Sequence, residues 1–145
     1  MKSKLLVIFL FASAVSVSSE PAVKQFILDK KFFIELHKIH SVLRDTYLES
    51  RLNSIVTGKG LITAIDMVQR LNKNYRVVLI DQEAARTNLN ISYYIYLADT
   101  NTVSILKKNE MFEFTGQLIA YTPLNSKRDS YIFDIILEKG TMLFE

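Results

Sequence analysis

The chain has 145 residues, a formal charge of +3 and no cysteine, which suits one domain or one domain with a helical extension. The missing cysteine excludes disulfides, thiolate chemistry, cysteine-ligated zinc, thioether-linked haem and the lipid-bearing cysteine of bacterial lipoproteins. Lysine and arginine number 18 against 15 acidic residues, and setting aside Lys2 and Lys4 leaves 16 against 15. That near-balance argues against a surface built to neutralise a phosphate backbone, leaving only a local patch open.

In chain order, Lys2 and Lys4 precede the apolar run Leu5 to Ala12, which thins into Ser13, Ser16, Ser18 and Ser19. A basic start, a short apolar centre and small residues predict a signal peptide over residues 1–19, too short for a comfortable membrane span. The expected product is secreted or periplasmic, without stable membrane insertion after cleavage. Residues 20–53 read as an N-terminal helical extension. Leu28, Phe32, Leu36, Ile39, Leu43 and Tyr47 recur at helical spacing from Pro21 to about Ser50. Packing of that stripe on the following domain is expected; Phe26, Ile27, Phe33 and Ile34 widen it enough to allow self-association instead. His37 and His40 sit three apart with no third ligand nearby, so they read as a surface pair and no metal is assigned.

The remaining residues, 54–145, read as five strands with a short helix before the fourth, which is the order of an OB-fold-like barrel. Strand one is expected from Ser54 to Met67, bent at Gly58 and Gly60. Gly58, Lys59 and Gly60 fit neither phosphate-loop fingerprint. A turn at Arg70 to Asn74 leads into strand two, Tyr75 to Asp81. A connection follows from Gln82 to Asn90, then strand three, Ile91 to Ala98. Asn101 is expected to cap a short helix that ends in Lys107 and Lys108 and stops at a left-handed Asn109. Phe112, Phe114, Gly116, Leu118 and Ala120 then alternate with Glu113, Thr115, Gln117 and Ile119 as strand four. A polar loop over Thr122 to Ser130 precedes the last strand, Tyr131 to Glu138.

With these segments placed, the chain resembles the bacterial OB-fold proteins grouped as tRNA-anticodon-like or nucleic-acid-binding-like, many of them exported and uncharacterised. The resembling residues are Val56-Thr57-Gly58-Lys59-Gly60, the strand Tyr93 to Leu97, and Leu106 to Glu110 leading into Phe112-Glu113-Phe114-Thr115-Gly116. Asn109 stands where a glycine is common. The resemblance covers about Ser54 to Lys139 and marks a fold, with nucleic acid implied by analogy alone.

An OB barrel binds on its second and third strands and adjoining loops. Arg76, Tyr94 and Tyr96 on those strands, with Arg86, Lys127 and Arg128 from loops, are therefore the candidate ligand-binding residues. They predict an exported, non-enzymatic module that recognises a protein or glycan in the cell envelope or exterior. Single-stranded nucleic acid is the alternative, through stacking on Tyr94 and Tyr96 beside Arg76. Equally open is that both tyrosines merely pack in the fold. The carboxylates Asp66, Asp81, Glu83 and Asp99 designate no catalytic pair by spacing, no serine stands in a nucleophile elbow, and no cofactor is implied.

Overall fold

The computed structural model describes residues 24–137. The expected signal peptide lies outside the described residues. The ten elements are β1 (Gln25–Ile27), α1 (Lys30–Lys38), α2 (Ser41–Glu49), β2 (Ile55–Arg70), β3 (Lys73–Ile80), α3 (Gln82–Ala85), β4 (Asn90–Leu97), α4 (Thr100–Ile105), β5 (Met111–Pro123) and β6 (Ser130–Ile136).

The single long N-terminal helix is corrected to a strand and two nine-residue helices. Two causes are visible. Gln25 to Ile27 pair in parallel with Ile55 to Thr57, because the first half of β2 has a free edge there. Further on, Ile39 and His40 are extended, with ψ of 133° and 138°, and split the helical run. Arg44 of α2 holds that split together. Its guanidinium donates to the carbonyls of His37 at 2.8 Å and Ile39 at 2.9 Å, supplying partners at the C-terminal end of α1. The helices pack rather than project: Phe32, Phe33, Leu36 and Leu48 are buried, whereas Leu43, expected in the buried stripe, is exposed.

The sheet is mainly antiparallel and has six strands in the order β1-β2-β3-β4-β6-β5, with β2 also paired to β5. The pairings of β2, β3, β4, β6 and β5 therefore form a closed cycle, and β1 is the sixth strand, added on the edge of β2. Sixteen residues let β2 serve both neighbours: its first half runs against β5 and its second against β3. The crossover needs close backbone approach. A Cβ built on Gly60 would lie 2.9 Å from the Ile80 carbonyl oxygen, and one on Gly116 only 2.6 Å from that of Ile136. Gly116 thus occupies the inward position that its alternation predicts.

Between β2 and β3, Leu71 and Asn72 both take positive φ of 57°, the geometry of a two-residue hairpin whose twist suits the flanking strands. The short helix before β5 starts two residues earlier than expected. Asp99, not Asn101, is its cap, accepting from the Asn101 amide at 3.1 Å and the Thr102 hydroxyl at 2.6 Å. It closes at Ile105, so Lys107 and Lys108 lie beyond it. Asn109 is left-handed at φ 69° as expected, yet it serves the turn into β5, where its amide donates to the Ile62 carbonyl.

One apolar core fills the cycle, with Tyr93, Phe114, Phe133, Leu79, Val77, Ile95 and Ile135 at its centre. Tyr93 packs edge-on against Phe114 at 5.0 Å between centroids.

Candidate binding surface

Cross-strand register places the candidate residues on the outward face of β2, β3, β4 and β6. One row reads Asp66, Arg76, Tyr96 and Ile136, and the next reads Ala64, Val78, Tyr94 and Asp134. Outward positions follow from the two-residue period, since Val77, Leu79, Ile95 and Phe133 between them point into the core.

Arg76 lies at the centre of this face. Its guanidinium carbon sits 4.7 Å from the Tyr94 ring centroid, and its Nη2 reaches the Asp66 carboxylate at 3.0 Å. The hydrogen bond to Asp66 raises the Arg76 pKa, so the cation is held firmly charged. Its Nε is buried with no hydrogen-bond partner. The side chain is thus spread over the tyrosine ring as a planar lid rather than pointing freely into solvent.

A second arginine repeats the arrangement. Arg70, at the end of β2, lies 5.5 Å from the Tyr96 ring and 3.6 Å from Asp134. Tyr96 donates its hydroxyl to Asp134 at 3.3 Å. Asp134 is nearly inaccessible, and burial raises its carboxyl above the ordinary value of 3.8, with Arg70, the Tyr96 hydroxyl and Arg76 pulling the other way. Burial likewise raises Tyr96. The face therefore carries two guanidiniums, two carboxylates and two tyrosines, with each cation matched to an anion.

Tyr96 is fully buried, which corrects its reading as an exposed platform: Arg70 lies against its ring and its hydroxyl is tied to Asp134. Tyr94 remains partly exposed under Arg76. The loop residues do not join them. Arg86 follows α3 and is paired with Glu83 at 3.2 Å. Lys127 is exposed in the β5–β6 loop, which meets the start of β4 where the Asn90 amide donates to Asp129. That is four residues along β4 from Tyr94, or ~13 Å at strand rise. Arg128 is a structural tie, donating to both Asp45 oxygens at 3.2 and 3.0 Å while its carbonyl accepts from Arg44 at 2.7 Å.

Arg70 and Asp134 do not stand out in the sequence as site residues, and Asp66 reads there only as a loose carboxylate. The signal for Asp134 was present: one acid inside the apolar strand Tyr131 to Ile136 must find partners or stay outside. The other carboxylates weighed for catalysis are engaged separately. Asp81 caps α3 and accepts from Tyr93, Glu83 pairs with Arg86, and Asp99 caps α4. His40 caps α2 through Nδ1 at 3.5 Å from the Val42 amide. Among the described residues no group of three or more His, Cys, Asp or Glu is placed to hold a metal ion, and no helix is long and apolar enough to cross a membrane.

No protein-family model matches the chain, and neither does any curated protein. Among solved structures, the chain is similar to a "putative nucleic acid-binding lipoprotein" from Klebsiella pneumoniae subsp. pneumoniae MGH 78578, at 10% identity and a TM-score of 0.48 over 85% of this chain and 92% of that one. It is also similar to Entamoeba histolytica asparaginyl-tRNA synthetase, at 19% identity and a TM-score of 0.37 over 59% of this chain and 19% of that one. The architecture rests on the strand pairings themselves.

Proposed function

We propose that this chain is an exported, non-enzymatic binding module on an OB-like barrel, recognising a protein or glycan partner in the cell envelope or exterior through the outward face around Arg76. The closed cycle of β2, β3, β4, β6 and β5, with α4 before β5, supports the OB reading.

The observation that carries the choice of partner is the stacking of Arg76 on Tyr94 while it is paired to Asp66. A phosphate-tracking groove needs cations free to replace counterions, and a base-stacking platform needs bare rings. Here Arg76 and Arg70 have carboxylate partners, and one ring lies beneath each. A planar, charge-balanced lattice of Arg, Tyr and Asp instead suits the polar and aromatic contacts that anchor proteins and sugars.

The test is capture from native envelope and medium with the full chain beside Arg76→Ala and Tyr94→Ala variants whose folding is checked by circular dichroism. Loss of a protein or glycan partner by the folded variants supports the proposal. Retention of the same partner by both overturns this face. Salt-sensitive oligonucleotide binding that both variants lose reassigns the module to single-stranded nucleic acid.

A further inference from the structure

The seam between β2 and β5 presents a second surface, separate from the Arg76 face, and among the described residues it is open at Ile27, Lys59, Ile80 and Met111. Outward positions along this antiparallel pair meet in register as Thr57 with Thr115, Lys59 with Glu113 and Leu61 with Met111. The two threonine hydroxyls are hydrogen-bonded at 2.9 Å. Neighbouring strands extend the apolar part. Ile80 of β3 pairs with Leu61, and Ile27 of β1 pairs with Thr57, both facing the same way. Ile27, Ile80 and Met111 are 66%, 45% and 53% exposed, so three of the large exposed apolar side chains surround one cross-strand position where lysine faces glutamate in register.

We propose that this face binds a second copy of the same chain, across a two-fold axis that runs along the seam between β2 and β5. Such an axis exchanges the two strands without shifting register. Lys59 then meets Glu113 of the partner, Leu61 meets Met111 of the partner, and each contact occurs twice. Opposite charges side by side on adjacent strands become opposite charges face to face only under this operator. That self-complementarity is why the occupant is the chain itself rather than an unrelated apolar partner, whose charges the face would have no reason to mirror. Four short strand segments make a small interface, and the dimer is accordingly weak, with Kd on the order of 10–100 μM.

Sedimentation of the full chain from about 5 to 500 μM tests this, with Lys59→Glu, Glu113→Lys and their 1:1 mixture run alongside. The wild type should show a monomer–dimer equilibrium. Each variant alone sets like charges across both two-fold contacts and should dimerise ~100-fold more weakly. Mixing them restores opposite charges at both contacts, so the mixture should recover dimer even though neither component forms it. Circular dichroism and Met111→Lys separate this from misfolding: that variant should stay folded and monomeric. A wild type that is monomeric at 500 μM overturns the proposal, as does a mixture no more dimeric than its parts. A monomer that loses a captured protein or glycan on Met111→Lys would also overturn it, by giving the face to that ligand.

Discussion

Tyr93 donates its hydroxyl to Asp81 at 2.5 Å, and both residues are buried: the tyrosine from β4 thereby closes the end of β3 and the start of α3 over the core. Burial raises the Asp81 carboxyl, and the Tyr93 hydrogen bond opposes that rise. Tyr93→Phe should destabilise the fold by ~2 kcal/mol at pH 7, because a buried acceptor loses its strongest partner. The loss should shrink toward pH 4, where the neutral acid needs that partner less. Urea unfolding of both chains at the two pH values checks it.

Asp134 gives a second pH dependence. Its folded carboxyl lies above the ordinary 3.8, so the folded state holds this proton more tightly than the unfolded chain. Its contribution is greatest below 3.8 and is lost as pH rises through the raised folded value. Asp134→Asn cannot titrate. The difference in melting temperature, wild type minus variant, should therefore fall as pH rises from 3.8 through that window. A difference that stays level from pH 3 to 7 would remove Asp134 from the account.

Arg44 is buried and serves three carbonyls, those of His37, Ile39 and Arg128. Arg44→Ala should cost ~3 kcal/mol in urea unfolding, since charged hydrogen bonds are lost and carbonyls are left without partners. Arg44→Lys should recover less than half, because an ammonium cannot span the same fork.

The two tyrosines of the candidate face should separate cleanly. Tyr96→Ala removes a fully buried ring and should cost ~3–5 kcal/mol. Tyr94 is only partly buried, and its alanine variant should cost ~1 kcal/mol. Parallel denaturant titrations measure both, and only the Tyr94 variant is a fair probe of binding.

Gly116→Ala should destabilise by ~1–3 kcal/mol, because the added methyl meets the Ile136 carbonyl oxygen at 2.6 Å and Ile135 at 2.8 Å, neither at the free end of a long flexible side chain. The midpoint of urea unfolding reads this directly.

Much of the sheet was legible because its signals are local. Apolar runs, alternation, glycines and polar turns place β2 to β6 within a few residues, and Gly116 and Asn109 take the inward and left-handed positions assigned to them. The N-terminal segment misled because Leu28, Phe32 and Leu36 keep helical spacing, and Phe26 and Ile27 of β1 widen that apolar face as readily as they fit a strand. The free edge of β2 and the grip of Arg44 on the α1 carbonyls, neither visible in the periodicity, made the choice.

The candidate site divides in the same way. That Arg76, Tyr94 and Tyr96 share a face follows from alternation and simple strand order, which local residue chemistry encodes. Whether Tyr96 is exposed, whether Arg76 is free, and whether Arg128 can reach a ligand depend on Arg70, Asp66, Asp134 and Asp45, brought from elsewhere by β2, β6 and α2. Pattern along a chain reports which side a residue faces. Only long-range pairing decides what lies above it, because the partners that bury a ring or neutralise a charge are set by strand register across the closed sheet.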